Sequence, residues 1–75
     1  MKELVEFMAK NLVNDPSRVR VRLIERPHME VLRLQVAPED MGRVIGKGGR
    51  VANALRTLIN IAAAQEGTRV ILDIV

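Results

Sequence analysis

The sequence contains no cysteine, tryptophan or tyrosine, only one phenylalanine and only one histidine. Without cysteine, disulfide bonds and thiolate metal sites are excluded, and the composition is compatible with a reducing compartment. One histidine and carboxylates without calcium-loop spacing predict no metal site. The chain also lacks a secretory signal pattern and an apolar run near the roughly 18 residues of a membrane span, so we expect a cytoplasmic protein without membrane contact.

The sequence also contains few candidate catalytic residues. The single histidine, His28, lies in a predicted hairpin turn, and the single serine, Ser17, lies in another turn. Neither has an activating partner nearby in the sequence. We therefore predict no catalytic residues, no cofactor and no enzymatic activity.

A cluster of glycines is the feature around which the sequence is organised. Residues 44–51 read VIGKGGRV and hold three of the chain's five glycines, with Lys47 among them and Arg50 directly after. Glycine lets another molecule approach the main chain closely, and the N-terminus of a following helix attracts anions. We hypothesise that this loop holds a nucleic-acid backbone.

The charge distribution agrees with an anionic partner. Twelve basic and nine acidic residues give a net charge of +3. Residues 41–65 contain no acid and four cations, which are Arg43, Lys47, Arg50 and Arg56. A merely solvated basic face is the alternative interpretation of this pattern.

Two other glycine-rich motifs do not fit. A phosphate-binding P-loop requires G-x-x-x-x-G-K followed by Ser or Thr, but Met41 stands five positions before Gly46 and Gly48 follows Lys47. A dinucleotide fingerprint requires G-x-G-x-x-G directly after a strand, whereas a helical segment precedes this loop. Nucleotide hydrolysis and dinucleotide binding are therefore excluded as leading hypotheses.

Hydrophobic periodicity and turn residues predict one α+β domain over residues 1–75, in the order α-β-β-α-α-β. The predicted helices span residues 2–14, 38–45 and 50–65, and the predicted strands span residues 18–26, 29–37 and 68–75. We expect a hairpin of the first two strands and a three-stranded sheet with three helices on one face. The two helices between the last two strands allow these strands to pair in parallel.

Several side chains are assigned to faces by the same periodicity. In the first helix we expect an apolar stripe with Phe7 in the core, and in the third helix a buried stripe at Val51, Ala54, Leu55, Leu58 and Ala62. Along the first strand, Arg18, Arg20 and Arg22 share the face opposite the apolar residues. They form either a second basic patch or a solvated surface.

The loop and its flanks resemble the KH domain, whose signature is a helix, then I-G-x-x-G, then a helix. Gly46 and Gly49 are the paired glycines here, with Lys47 and Gly48 between them. The element order is that of the type II KH arrangement. The run at residues 38–50 is similar to the small bacterial KhpA-type (YlqC-like) RNA-binding proteins, which are single KH domains of about this length.

This resemblance implies a mechanism. The G-x-x-G loop of KH domains clamps the backbone of about four nucleotides of single-stranded nucleic acid. It implies backbone contacts at Gly46, Lys47, Gly48, Gly49, Arg50 and Arg43, and a base groove lined by Val44, Ile45, Val51, Leu34 and Val36. These apolar residues also fit a plain core role. Because aromatic residues are nearly absent, a stacking platform is not available, and nothing in the sequence separates RNA from single-stranded DNA.

The third helix is apolar around much of its circumference, which indicates that other parts of the protein or a partner pack against more than one of its sides. The flank at Thr57, Ile61 and Ala64 is therefore either a protein interface or part of a broad core stripe. The resemblance implies a homodimer, and pairing with a larger KhpB (Jag)-type KH protein. It also implies a role as post-transcriptional regulator or RNA chaperone, with a protein-interaction module as the alternative.

Overall fold

The computed structural model describes all residues from Met1 to Val75 and has the predicted order α-β-β-α-α-β. Its helices are α1 (Lys2–Leu12), α2 (Met41–Ile45) and α3 (Arg50–Gln65), and its strands are β1 (Arg20–Arg26), β2 (Met29–Gln35) and β3 (Val70–Ile74). Three short 3-10 turns, at Pro16–Arg18, Pro38–Asp40 and Lys47–Gly49, connect these elements. The predicted third helix has the observed bounds. The predicted strands and first helix are each one or two residues too long at an end. The predicted second helix starts three residues too early, because Pro38–Asp40 form a 3-10 turn.

The three strands form one sheet in the order β1-β2-β3. β1 and β2 are antiparallel, with Arg20 opposite Gln35 and Arg26 opposite Met29. β2 and β3 are parallel, and the pair is extended where the Val75 amide donates to the Leu34 carbonyl at 2.9 Å. A parallel pair needs a long crossover, which α2 and α3 supply. The predicted hairpin is confirmed, and the parallel pairing that the sequence allows is observed.

The helices cover one face of the sheet, and the core lies between the two layers. Alternate positions of each strand point inward, which buries Val21 of β1, Leu32 and Leu34 of β2, and Val70 and Leu72 of β3. Opposite them lie the buried helical residues Val5, Ala9, Val44, Ala52, Leu55, Ile59 and Ala63. The predicted α+β class and layer arrangement are confirmed.

The buried stripe of α3 differs from the prediction. Ile59 is fully buried and Leu58 is 53% exposed, and only Leu55 of the five predicted positions belongs to the buried set. Val51 and Ala62 are half-buried, and Ala54 is exposed. Because the helix is apolar over so much of its surface, two neighbouring stripes fit a 3.6-residue period equally well. Packing against the sheet selected the stripe rotated toward Ala52, Ile59 and Ala63.

The prediction that Phe7 lies in the core is also wrong, since the structure leaves it 67% exposed. α1 contacts the sheet through a narrow strip, of which Val5 and Ala9 are the buried residues. Phe7 follows Val5 by two positions, or about 200° around the helix axis, and so lies on the far side. The one aromatic side chain of the protein therefore sits on the outer surface of α1.

No helix combines the length and the apolar character needed to cross a membrane.

Candidate nucleic-acid interface

The glycine loop lies between α2 and α3, at the end of the sheet where β2 finishes. β2 leads from Gln35 through a turn into α2, and the loop follows at once. α3 then returns for 16 residues, about 24 Å, to reach β3, which begins opposite Glu30 at the other end of the sheet. The loop therefore projects from one end of the molecule, where an extended ligand has free access.

The backbone of this loop favours glycine at three positions. Gly46, Gly48 and Gly49 have φ angles of +76°, +65° and +79°. Gly46 is also tightly packed, because an added Cβ would lie 2.5 Å from Val51 Cγ2 and 2.8 Å from the Val51 amide nitrogen. At Gly48, by contrast, nothing lies within 4 Å of an added Cβ. Gly46 thus joins the loop to α3, while Gly48 leaves its outer surface open.

The start of α3 adds positive potential to the loop. Gly49 is the N-cap residue and supplies no side-chain cap, and the first turn of the helix contains no acid. The amide groups of that first turn have no acceptor within the helix, and the helix dipole places partial positive charge there. The arrangement favours an anionic group at the loop.

The cations near the loop differ in how they are engaged. Lys47 and Arg50 are exposed and form no ion pair. Arg43 Nε lies 3.5 Å from Asp40 Oδ1, so part of its charge is neutralised. Arg56 donates from Nε to the Leu72 carbonyl at 3.3 Å and is thereby tied to β3. Lys47 and Arg50 are therefore the cations of this region that have neither an ion pair nor a side-chain hydrogen bond.

Of the five predicted groove residues, the structure brings only two to the surface. Ile45 and Val51 are half-buried on either side of the loop. Leu34, Val36 and Val44 are enclosed in the core, with exposures of 5% or less. The expectation that all five line a groove is corrected for these three residues, because their side chains pack in the core between the sheet and the helices. The three buried residues support the surface from below.

Asp40 is a structural residue of this region that the sequence does not reveal. Asp40 is 2% exposed, and its carboxylate accepts hydrogen bonds from the main-chain amides of Asn14 at 3.2 Å and Asp15 at 3.1 Å. Sequence reasoning assigns it only to the start of a helix, yet it makes no cap bond to α2. It fixes the segment after α1 against the start of α2. No local signal predicts a contact across 25 residues.

The predicted interface residues Thr57, Ile61 and Ala64 all lie on the exposed side of α3. Ile61 is 54% exposed, and Leu58 on the neighbouring flank is 53% exposed. Of the two interpretations left open by the sequence, the broad core stripe is therefore excluded for Ile61. A partly apolar outer surface on α3 remains.

Comparison with known proteins places these features in a family. The family model described as "KhpA/KhpB, KH domain" matches residues 2–74. A protein of Caldanaerobacter subterraneus subsp. tengcongensis is 51% identical over 75 residues, and one of Clostridium acetobutylicum is 49% identical over 75 residues. Both comparisons cover 100% of this chain and 100% of the relative, and both relatives are called RNA-binding protein KhpA.

Among solved structures, the fold is similar to part of an Era variant from Aquifex aeolicus bound to GDP.AlF4-, with a TM-score of 0.63. The similarity covers 97% of this chain but 28% of the Era chain, at 20% sequence identity. At this identity the similarity supports the fold alone and carries no conclusion about nucleotide binding by this chain.

Proposed function

We propose that this chain, which belongs to the KhpA/KhpB KH-domain family and has the type II KH fold, is a non-catalytic RNA-binding protein. In this proposal the loop Gly46–Lys47–Gly48–Gly49 holds the backbone of single-stranded RNA. The observation that carries it is the open glycine loop with positive φ angles, beside the uncompensated charges of Lys47 and Arg50. Relatives that match the full chain are named as RNA-binding proteins, which supports the same ligand.

The mechanism follows from close approach and charge. Without a side chain at Gly48, the sugar-phosphate backbone lies directly against the loop, where main-chain amides and the N-terminus of α3 face the phosphates. Lys47 and Arg50 add charge-assisted hydrogen bonds to phosphate oxygens. Arg43 contributes from α2, oriented by its contact with Asp40.

Bases leave the clamped backbone toward the aliphatic surface at Ile45 and Val51. KH loops hold the backbone of about four nucleotides. An aliphatic surface needs no aromatic platform, in agreement with a chain whose one aromatic residue lies on α1. Sequence preference would then arise from hydrogen bonds to base edges beside these two side chains.

The clamp is tested by the double variant Lys47→Asp with Gly48→Asp. We expect its affinity for a single-stranded RNA probe to fall at least tenfold, about 1.4 kcal/mol or more, because two carboxylates repel the phosphates and fill the open surface. The measurement is fluorescence anisotropy with a labelled 16-nucleotide RNA of mixed sequence. Normal binding by the folded variant would remove the loop from the interface.

The matched control is Lys47→Gln with Gly48→Asn, which adds similar volume and the same backbone strain without negative charge. We expect this control to bind more weakly than the wild type but more strongly than the aspartate variant. Thermal unfolding of all three proteins checks that the loop changes leave the fold intact. A DNA probe of the same sequence shows whether the 2′-hydroxyl matters, which decides between RNA and single-stranded DNA.

We further propose a cytoplasmic role as a post-transcriptional regulator or RNA chaperone, and the names of the relatives support the RNA-binding part of this role. Crosslinking in cells, followed by sequencing of the bound RNA, tests this role with the loop variant as control. Recovery of the same RNAs with the variant would contradict it.

A second candidate function is protein association through α3, as a homodimer or with a KhpB-type KH protein. The exposed side chains of Ile61 and Leu58 favour it, because apolar side chains on one helix are a common element of interfaces. We expect Ile61→Lys to convert a dimer into a monomer in size-exclusion chromatography with light scattering. Asn60→Lys, on the neighbouring exposed position, is the control. A monomeric wild type at 100-fold the concentration of the RNA assay would refute the homodimer.

A further inference from the structure

The face of the sheet that points away from the helices carries an unusual set of side chains. Because Val21, Leu32 and Leu34 point into the core, the alternate residues of each strand point outward. These outward residues are, by strand, Arg20, Arg22, Ile24 and Arg26, then Met29, Val31, Arg33 and Gln35, then Ile71 and Asp73. No helix covers them, and we call them the open sheet face.

The open sheet face is strongly basic, with four arginines and one acid. Its only ion pair joins Arg33 Nε to Asp73 Oδ2 at 3.2 Å. Arg22 and Arg26 make no hydrogen bond or ion pair with any other side chain. Arg20 Nη1 donates only to main-chain carbonyls, those of Ser17 at 2.9 Å and Val19 at 3.0 Å. Three guanidinium groups therefore keep their charge uncompensated.

Two of the arginines lie directly opposite each other. Arg22 of β1 pairs in register with Arg33 of β2, and Asp73 of β3 follows in the same row. Like charges on directly opposed strand positions destabilise a sheet, and one exposed aspartate offsets only part of that repulsion. A phosphate between the two guanidinium groups would remove the repulsion and accept hydrogen bonds from both.

Three of the four arginines lie toward the end of the sheet where the glycine loop is found, and Arg26, opposite Met29, lies at the other end. Arg20 is opposite Gln35, the last residue of β2 before the chain turns into α2. Arg22 and Arg33 form the next row, about 7 Å further along the strands. An extended chain of nucleotides that leaves the loop around the end of β2 therefore meets these arginines first.

Beyond them the open sheet face becomes apolar. Ile24, Val31 and Ile71 form one row across all three strands, and Ile71 is 39% exposed. Phosphate-binding arginines beside an aliphatic row suit a polynucleotide, whose charged backbone and apolar base faces alternate along one strand. A protein ligand would need several acids to match the arginines of the open sheet face.

We propose that the open sheet face is a second RNA-binding surface, which contacts the nucleotides that flank those held by the glycine loop. Arg20, Arg22 and Arg33 bind their phosphates, and the row of Ile24, Val31 and Ile71 contacts their bases. This inference rests on the proposed function for its ligand, but it concerns separate residues on the opposite layer of the molecule.

NMR titration of the 15N-labelled wild-type chain distinguishes RNA binding at the glycine loop from RNA binding at the open sheet face. The probes are mixed-sequence RNAs of four and sixteen nucleotides. We expect both probes to shift the amides of the glycine loop, and only the longer one to shift the amides and side-chain Nε–H signals of Arg22 and Arg33. An unmoved sheet with a shifted loop overturns this inference and leaves the clamp intact. A shifted sheet with an unmoved loop overturns the clamp alone.

The double variant Arg20→Gln with Arg22→Gln supplies the energetic test. We expect its affinity for the 16-nucleotide RNA to fall roughly tenfold, and the slope of log K against log salt to become about 1.4 less steep, since two phosphate contacts are lost. The control is Lys2→Gln with Lys10→Gln, which removes the same charge from the exposed side of α1. Equal losses in the two variants would mean that only net charge matters, and would overturn the inference.

A change at Asp73 gives a test in the opposite direction. Asp73→Asn releases Arg33 from its ion pair, and we expect the affinity for the 16-nucleotide RNA to rise two- to threefold. No change in affinity would contradict a role for Arg33. If the arginine variant instead alters the molar mass in light scattering while RNA binding is unchanged, the open sheet face is a protein contact and the inference is wrong.

Discussion

Gly46 and Gly48 stand two residues apart in the loop, and their requirements for glycine have different physical causes. Gly46 has φ +76° and ψ 170°, a combination that is essentially restricted to glycine, and Val51 blocks a Cβ there. Gly48 has φ +65° and ψ 20°, which other residues reach at moderate cost, and its surroundings are open. Gly46 is therefore needed for the stability of the loop, and Gly48 leaves the loop open to a ligand.

This difference predicts unequal effects of alanine at the two positions. We expect Gly46→Ala to lower the free energy of unfolding by about 2 to 4 kcal/mol, from backbone strain together with the clash against Val51. Gly48→Ala should lower the free energy of unfolding by about 1 kcal/mol. Relative to this small loss of stability, its loss of RNA affinity should be larger. Urea unfolding of both variants measures the difference. Equal destabilisation would contradict the assignment.

At the scale of the element, α3 combines several tasks on one helix. Its first turn lies at the glycine loop, Ala52, Leu55, Ile59 and Ala63 pack on the sheet, and Arg56 donates to the carbonyl of Leu72 on the edge strand β3. Its outer side presents Ile61 and Leu58. Because two apolar stripes overlap on this helix, adjacent residues of similar size have opposite roles.

Ile59 and Leu58 demonstrate this difference directly. We expect Ile59→Ala to destabilise the protein by about 2 to 5 kcal/mol, since it leaves a cavity in the fully buried core. Leu58→Ala should change the stability of the monomer by less than about 1 kcal/mol, because the side chain is half in solvent. Thermal unfolding at low protein concentration gives both values. A large loss for Leu58→Ala would indicate that α3 is covered in the folded protein.

At the scale of the whole molecule, two layers present two different basic surfaces. The helical layer carries the loop with Lys47 and Arg50, and the opposite face of the sheet carries Arg20 and Arg22. The net charge of +3 is small, so local arrangement decides where an anionic chain is attracted. Lys47 and Arg50, at the loop, and Arg20 and Arg22, toward the finish of β2, form no ion pair.

Binding at such surfaces should depend strongly on salt. If the loop alone contacts four phosphates, the slope of log K against log salt is about −3 for single-stranded RNA. A long RNA that also reaches the sheet should give a steeper slope than a four-nucleotide RNA. Anisotropy titrations at several salt concentrations measure both slopes. Slopes near zero would indicate that apolar contacts, and no phosphates, dominate the affinity.

The amino-acid sequence by itself determined the element order, the hairpin and the glycine loop, and it allowed the parallel pairing of the last two strands. These depend on local signals: turn residues, periodicity, and glycines clustered between two helical segments. The family resemblance, carried by Gly46 and Gly49 with their flanks, was equally readable and is confirmed by the family match.

Only the tertiary structure decided which side of each helix is buried and which contacts cross the chain. The stripe of α3 and the exposure of Phe7 depend on how the helices lie on the sheet, and a period alone leaves that rotation undetermined. The burial of Asp40, and the row that joins Arg22, Arg33 and Asp73, arise between residues distant in sequence. Such contacts leave no local pattern, because their free energy is realised only when the chain has folded.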